Sequence, residues 1–266
     1  MRARSFTRPS TSEARGLAKL PRLDLHIHSR FSDGDSTVQE IASAARVKGL
    51  IAAGVSDHYV SRLPSGHGRM GRGRLKEYLS QVAAAGLLKG VEVDIYDDGG
   101  VSLEPSEKPL FDYVIGGVHE LDGVEFWGDP SPIPYPERFV EAMREALVEA
   151  IEGGLIDVVA HLTWLPEDLR GMEAHLITDD WVESIVRAAA SRGVAIEVSG
   201  AWQVPDERVV RRCLKEGVKL SLGSDAHRAS DVGNLSYPFK LLARLGAGVE
   251  DLFAPKPVEA QLLSRG

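Results

Sequence analysis

Short apolar runs alternate with longer amphipathic segments along this chain from Arg22 onward. The short runs are rich in Val, Ile and Leu and are apolar throughout, which is typical of parallel strands buried on both faces. The pattern predicts seven strands, at residues 22–28, 51–56, 90–95, 113–118, 157–162, 194–199 and 218–224. It predicts six helices, at residues 37–48, 72–86, 137–152, 179–192, 205–216 and 232–246.

Regular alternation of strand and helix predicts βαβ units, and seven such units without a large change in composition favour one α/β barrel. A doubly wound open sheet is the alternative. Local signals support the helix ends: Thr37 and Glu40 have the spacing of a capping box, and Gly193 and Gly217 stand where C-caps are expected. We predict that the long, proline-rich loop 122–136 forms a lid or rim.

His26 and His28 end the first predicted strand with one residue between them. Residues two apart in a strand point to the same face, so the two imidazoles would lie side by side. Such a pair alone is ambiguous, but six of the eight histidines follow predicted strands: His26, His28, His58, His119, His161 and His227. The C-terminal ends of the strands carry the active site in α/β barrels, and histidines with only a structural role would not be sorted in this way.

Carboxylates accompany these histidines, notably Asp33, Glu92 and Asp225. Histidine and carboxylate ligands suit divalent metals such as Zn²⁺, Mn²⁺ or Fe²⁺. The ligands are too many for one ion, so we expect two or three ions with a bridging carboxylate. Multinuclear sites of this kind typically hydrolyse phosphoesters, because the metals form a hydroxide nucleophile near neutral pH and bind the phosphoryl oxygens.

The order of the motifs resembles that of the PHP superfamily (polymerase and histidinol phosphatase). The chain carries HxH with a following SDG, then SDH, GVE, GVHE, AH and SDAH, between Leu23 and Phe253. It is most similar to stand-alone PHP phosphatases and to the PHP domain of bacterial family X DNA polymerases. The resemblance implies an α/β fold of the distorted (β/α)₇ barrel type. It departs from the usual pattern after His161, where Leu162-Thr163-Trp164 replace a proline, and this makes Trp164 a candidate pocket residue.

The resemblance also implies three divalent metal ions, Zn, Mn or Fe, held by nine ligands. The ligands of the first ion are His26, His28, Glu92 and Asp225. Those of the second ion are Glu92, His119 and His161, so that Glu92 bridges the two ions. Those of the third ion are Asp33, His58 and His227. We predict that Glu92, Asp225 and His227 are the catalytic residues.

Further carboxylates lie close to the predicted ligands. Asp24 and Asp57 each neighbour a ligand histidine, and either hydrogen-bond to a ligand or cap a loop. Asp94 shares the strand face of Glu92 and is a candidate to reach the same site. Glu197 lies on the strand without an assigned ligand, and is either a hydrogen-bond partner of a ligand or a satisfied interior carboxylate. The other two histidines, His67 and His175, lie outside the motifs.

A basic loop at residues 62–76 follows the predicted ligand His58 and contains no acidic residue. Arginine binds phosphate in bidentate fashion, so we predict phosphate binding by Arg69 and Arg72 of this loop, and by Arg228 beside His227. A solvated basic loop without this function is the alternative.

Composition narrows the class of protein. The net charge of −8 argues against a nucleic-acid coat protein. Cys213 is the single cysteine, so neither an intramolecular disulfide nor a cysteine zinc site can form, and this fits a reducing cytoplasm. No apolar run is long enough to predict a membrane span. Residues 1–20 are basic and are predicted to be a disordered tail, with a transit peptide as the alternative. Residues 21–266 are then predicted to form one barrel domain.

Together these features predict a cytoplasmic, metal-dependent phosphoesterase. We expect it to hydrolyse a small phosphomonoester through a metal-bound hydroxide at a three-metal site. Histidinol phosphate is one alternative substrate, and nucleotide or nucleic-acid ends, cleaved by a nuclease or 3′-phosphatase activity, are another. The alternative of a different class is a metal-containing partner subunit of a polymerase or processing complex. The oligomeric state stays open.

Overall fold

A computed structural model of the protein describes residues 20–62, 68–128, 130 and 132–263. The predicted basic tail therefore lies outside the described residues except for Leu20, which is buried. The central part of the basic loop, including His67, also lies outside them. None of the described helices combines the length and the apolar character that a membrane-spanning segment requires.

All six predicted helices are present, and their ends differ from the predicted ones by four residues at most. Thr37 forms the predicted capping box with Glu40, and Gly193 and Gly217 end their helices in the left-handed conformation. Two further helices, Glu173–Leu176 and Lys256–Leu263, were not predicted. The eight α-helices of the described residues are α1 (Val38–Val47), α2 (Arg72–Ala84), α3 (Pro136–Gly153), α4 (Glu173–Leu176), α5 (Asp179–Arg192), α6 (Glu207–Glu216), α7 (Ser236–Leu245) and α8 (Lys256–Leu263).

The strands are shorter and more numerous than predicted. Those of the described residues are β1 (Leu23–Asp24), β2 (Ala52–Val55), β3 (His58–Val60), β4 (Met70–Gly71), β5 (Leu88–Lys89), β6 (Glu92–Asp94), β7 (Ile115–Gly117), β8 (Glu120–Leu121), β9 (Val124–Glu125), β10 (Val158–Val159), β11 (Ala195–Ser199) and β12 (Leu220–Gly223). Two parallel sheets have the orders β12-β11-β10-β7-β6-β3-β4 and β1-β2-β5, and β8 and β9 form a separate antiparallel hairpin.

The third predicted strand, residues 90–95, contains β6, while β5 lies just before it and belongs to the other sheet. Buried tyrosine side chains from neighbouring elements pack at this change of sheet. The Tyr78 hydroxyl lies 2.7 Å from the carbonyl oxygens of both Val55 and Gly90. The Tyr113 ring fills the space beside Gly54 and Gly90, since a Cβ atom at Gly54 would lie 2.0 Å from the tyrosine oxygen. The two tyrosines therefore fill the space where the chain passes from one sheet to the other.

Backbone hydrogen bonds also connect the first strand region to the last. The Leu25 amide donates to the Leu222 carbonyl at 2.9 Å, and the His28 amide donates to the Ala226 carbonyl at 2.9 Å. The Asp24 carboxylate strengthens this junction by accepting hydrogen bonds from the Ser224 amide at 2.9 Å and from the Gly233 amide. The prediction of a distorted, TIM-like α/β barrel is confirmed, and its C-terminal strand ends meet at one side of the molecule.

Candidate metal centre

The side chains of all nine predicted ligands converge at the C-terminal strand ends, in and beneath a cavity of about 780 Å³. His26 and His28 lie deepest and are almost wholly buried. The other seven line the cavity: Asp33, His58, Glu92, His119, His161, Asp225 and His227. The sorting of histidines to strand ends therefore brings them together in space, as the barrel geometry requires.

Glu92 occupies the middle of this cluster. It extends from β6 and is 1% exposed. Its two carboxylate oxygens lie 3.1–3.5 Å from nitrogen atoms of five imidazoles, those of His26, His28, His58, His119 and His161. Asp225 adds a second carboxylate, with Oδ1 at 3.1 Å from His28 Nε2 and 3.6 Å from His26 Nε2.

The spacing of these atoms fits metal coordination better than direct hydrogen bonding. Four buried imidazole nitrogens make no hydrogen bond of acceptable geometry among the described residues, although carboxylate oxygens lie near them: His26 Nε2, both nitrogens of His28, and His58 Nδ1. An ion bound at about 2.0–2.1 Å in a tetrahedron separates its ligand atoms by roughly 3.4 Å. Ligands around a shared ion point at the ion rather than at each other, and buried polar atoms otherwise find partners. The donors present therefore fit bound divalent metals.

Four overlapping groups of the described residues could each hold an ion. The first, His26, His28 and Glu92, contains three of the four ligands predicted for the first ion and lacks Asp225. The second, Glu92, His119 and His161, has the residues predicted for the second ion. The third contains Asp33, His58 and His227, as predicted, and also His28. A further group joins Asp94 to His58 and His119. Glu92 belongs to the first two groups, which is the position of a bridging ligand.

The charges of the cluster are strongly coupled. Burial alone would raise the pKa of Glu92, but the positive charge of His26 and of His119 holds it well below its ordinary value. Burial lowers the pKa of His58 to about 3, so this imidazole is neutral near pH 7 and keeps a lone pair for a metal. The pKa of His119 is raised to about 10, because Glu92 and Asp94 outweigh the effect of burial. Without metal, protons on such histidines balance the carboxylates, and metal binding would release them.

Two ligand positions have an unusual backbone conformation. His161 has φ +29° and Asp225 has φ +51°, in the left-handed region that non-glycine residues seldom adopt. Such residues cost about 1–3 kcal/mol each and cluster at functional sites, where surrounding contacts hold them. One such contact is the His161 amide, which donates to Glu197 Oε2 at 2.9 Å.

Glu197 and Asp94 each contact the Nδ1 atom of a predicted ligand histidine. Glu197 Oε1 lies 2.7 Å from His26 Nδ1, so β11, the strand without a predicted ligand, orients the first histidine of the site. Asp94 Oδ1 lies 2.7 Å from His119 Nδ1. Carboxylates in this position fix the orientation and tautomer of a ligand histidine. Of the two roles predicted for Glu197, the structure shows that of a hydrogen-bond partner of a predicted ligand.

Asp57 caps a loop, whereas Asp24 accepts hydrogen bonds from backbone amides, including that of His26 at 3.5 Å. Asp57 accepts hydrogen bonds from the Ser29 amide at 2.7 Å, the Ser29 hydroxyl at 2.6 Å and the Ser32 amide at 3.1 Å. It thereby holds the loop that presents Asp33. Asp24 joins the first and last strand regions through the backbone amides described above.

The three predicted phosphate-binding arginines have different positions. Arg69 lines the cavity, with its guanidinium 2.7 Å and 3.0 Å from the two oxygens of Asp94. Arg72 pairs with Glu107 at 2.7 Å, and Arg228 pairs with Asp35 at 3.2 Å. These two side chains are exposed and are not part of the cavity lining formed by the described residues. Their phosphate-binding role stays a prediction, and Arg69 is the one of the three that belongs to the described cavity lining.

Sequence reasoning missed two tryptophans, Trp127 and Trp202, which both line the cavity. Trp202 Nε1 donates a hydrogen bond to Asp225 Oδ2 at 2.5 Å. The predicted pocket residue Trp164 lies behind them and packs on Trp202 with ring centroids 4.4 Å apart. Trp202 lies just beyond the C-terminal end of β11, and this position was the only signal of its role.

We expect the Trp202→Phe variant to bind metal about 10–100-fold more weakly, because Asp225 loses the indole N–H that fixes its orientation. The measurement is a calorimetric titration of the metal-free protein with Zn²⁺ or Mn²⁺. Trp164→Phe is the matched control, since the Trp164 indole nitrogen has no hydrogen-bond partner among the described residues. Equal metal affinity in the two variants would contradict the assignment.

This fold and this site define the class of metal-binding α/β-barrel phosphoesterases. The family model for the PHP domain matches residues 24–201, and the chain belongs to that family. A protein of Thermoanaerobacter sp. strain X514 named "probable phosphatase" is 27% identical over 86% of this chain and 88% of its own length. A "probable phosphatase" of Vibrio vulnificus strain YJ016 is 30% identical over 85% of each chain. The chain is thus a phosphatase of the PHP family.

Among solved structures, the chain is similar to the histidinol phosphate phosphatase of Lactococcus lactis, which was crystallised with zinc, L-histidinol and phosphate. The TM-score is 0.63 at 19% identity, covering 86% of this chain and 95% of the other. This likeness supports the barrel fold.

Proposed function

We propose that the protein is a phosphomonoesterase that acts on a small substrate with three divalent ions held by the nine predicted ligands. One observation carries the proposal: the Glu92 carboxylate lies among five imidazoles at the base of an open cavity. When bound, the ions would supply an activated water and positive charge for the phosphoryl oxygens. Zinc is our first choice because the Lactococcus neighbour binds it, with manganese and iron as the alternatives.

The proposed catalytic residues have distinct tasks. Glu92 and Asp225 bring negative charge to the buried base of the site, where they would hold ions in the position that faces the phosphate. His227 is 38% exposed and Asp33 is 37% exposed, with His227 Nε2 at 3.2 Å from Asp33 Oδ2. This pair is the part of the cluster most open to solvent, and it is where the leaving alcohol can exchange a proton with water. Arg69 is the proposed cation on the cavity wall.

The size of the cavity favours a substrate larger than phosphate itself. Its volume of about 780 Å³ lies within the range of roughly 300–1,000 Å³ that is typical of small-molecule sites. The phosphate needs only the part beside the ligands, so the remaining space accommodates the alcohol portion of the ester.

The cavity mouth favours a small substrate over a nucleic-acid strand. Glu120 of β8 and Glu125 of β9 are direct cross-strand partners, and both line the cavity. Like charges in this arrangement repel each other, and neither carboxylate has a counter-ion among the described residues. The pair would repel a polyanionic strand that entered here.

A substrate panel tests the proposal. We expect the protein with Zn²⁺ or Mn²⁺ to release phosphate from at least one small phosphomonoester, and to lose this activity with a chelator. The panel contains sugar phosphates, nucleotides, histidinol phosphate and 3′-phosphorylated oligonucleotides. Turnover of a small ester should change little between 50 and 200 mM salt, whereas strand binding would weaken steeply. Preferred cleavage of oligonucleotides would contradict the small-substrate proposal, and metal binding without turnover of any ester would favour the partner-subunit alternative.

A further inference from the structure

One wall of the cavity, formed by Trp127 and Trp202, is aromatic and adjoins the metal ligands. We propose that this wall selects phosphomonoesters whose alcohol portion carries a planar aromatic or heteroaromatic ring, with Trp127 as the residue that contacts the ring. The inference rests on the proposed phosphatase function and specifies its substrate class.

The wall lies within reach of a substrate bound at the ligands. The Trp127 ring centroid is 5.1 Å from that of His161 and 5.6 Å from that of His119. Trp202 is 5.5 Å from Trp127, and its indole nitrogen bonds to Asp225. A phosphate placed against these ligands would direct its ester oxygen into a space bounded by the two indoles.

The Trp127 indole is open on its cavity side. Its side chain is among the exposed large hydrophobic residues, with 40% of its surface accessible to solvent. An indole exposed inside a cavity offers apolar area and a π face, both of which favour contact with a flat ring. Tyr96, which is 45% exposed, also lines the cavity and adds aromatic surface.

The wall is held in place from behind. Trp164 stacks on Trp127 with an interplanar angle of 20° and a centroid distance of 6.3 Å, and it also packs on Trp202. The Arg170 guanidinium lies over the Trp164 ring, 4.4 Å from its centroid. Hydrogen bonds from Arg170 to the Leu165 and Phe126 carbonyls hold the guanidinium in this position. A wall fixed by these contacts loses little conformational entropy when a ligand binds.

Stacking is tolerant of ring identity, because every flat ring has a π face. The wall would therefore select a class of substrate that includes aryl phosphates, nucleoside monophosphates and imidazole-bearing phosphates. Glu120 and Glu125 at the mouth disfavour additional negative charge, so among these we expect neutral or cationic rings to bind better.

The test compares two phosphonates that cannot be hydrolysed, phenylphosphonate and propylphosphonate, by calorimetric titration of the metal-loaded protein. We expect the wild type to bind phenylphosphonate about 5–10-fold more tightly, as an aromatic contact implies. Trp127→Phe should keep this preference, whereas Trp127→Leu, which keeps apolar volume without a ring, should lose it. Tyr135→Ala removes an exposed aromatic side chain outside the cavity lining of the described residues, and should keep the preference.

Equal affinity for the two phosphonates in the wild type, a preference that survives Trp127→Leu, or no binding of phenylphosphonate would each overturn the inference. The phosphatase proposal fails on a different observation, namely the absence of turnover of every ester by the same metal-loaded protein. If ring selection holds, kcat/KM for phenyl phosphate, adenosine monophosphate and histidinol phosphate then identifies which kind of ring the site prefers.

Discussion

The Glu92→Gln variant is expected to lose metal and phosphatase activity together, with kcat/KM lower by about 10³-fold or more. The neutral amide removes the charge that five imidazoles surround. Its NH₂ group would also direct hydrogens at one set of imidazole nitrogens, so that side of the residue could no longer bind a metal. A loss of about 4 kcal/mol in transition-state stabilisation, which a bridging ligand of two ions can supply, corresponds to this factor.

The measurement pairs metal content, determined by elemental analysis, with kcat/KM on the best ester of the panel. Glu107→Gln is the matched control. Glu107 is a buried carboxylate that binds the Tyr59 and Ser61 hydroxyls and the Arg72 guanidinium, and it is not part of the cavity lining of the described residues. The Glu107→Gln variant should retain metal even if its free energy of unfolding falls. Wild-type metal content and turnover in Glu92→Gln would refute the central role of this residue.

The site could be predicted because barrel geometry turns a one-dimensional pattern into proximity. His26 and Asp225 are far apart in the sequence, but both follow parallel strands, and the C-terminal ends of such strands share one side of the barrel. Their atoms consequently lie 3.6 Å apart. The same rule placed His58, His119 and His161 at the side of the barrel that carries Glu92, without knowledge of any contact.

The supporting contacts could not be predicted in this way. Glu197 contacts His26, which is 171 positions away in the sequence. The position of Glu197 in its strand does not show whether it bonds to a ligand or is only a satisfied interior carboxylate. Hydroxyl groups of Tyr78 and Tyr113 bond to backbone carbonyls of the strand regions, whereas apolar periodicity reports only that a segment is buried. Arg72 stands in a basic segment and Arg228 follows His227, but their carboxylate partners come from other parts of the chain. The charge pattern along the sequence could not show that these two arginines pair with carboxylates outside the cavity lining of the described residues.

The second large effect is expected for Glu197→Gln. Glu197 orients His26 through Oε1 and accepts the His161 amide through Oε2. A glutamine fits the same space, which is tight because a Cβ atom on Gly223 would lie 2.0 Å from Glu197 Oε1. Its amide can accept only one of these two hydrogen bonds through oxygen, so either the His26 tautomer changes or the His161 amide faces an NH₂ group.

We therefore expect Glu197→Gln to bind metal about 10–100-fold more weakly, and to be destabilised by about 1–3 kcal/mol through the unsatisfied buried group. Added metal distinguishes a residue that orients ligands from one that binds the ions. It should restore most of the lost kcat in Glu197→Gln and little of it in Glu92→Gln. The measurement is activity as a function of Zn²⁺ or Mn²⁺ concentration, with the exposed Glu152→Gln of α3 as the charge-matched control. Loss of kcat that persists at saturating metal would show that Glu197 acts on the reaction itself, since a carboxylate that only orients His26 and His161 has no further effect once the ions are bound.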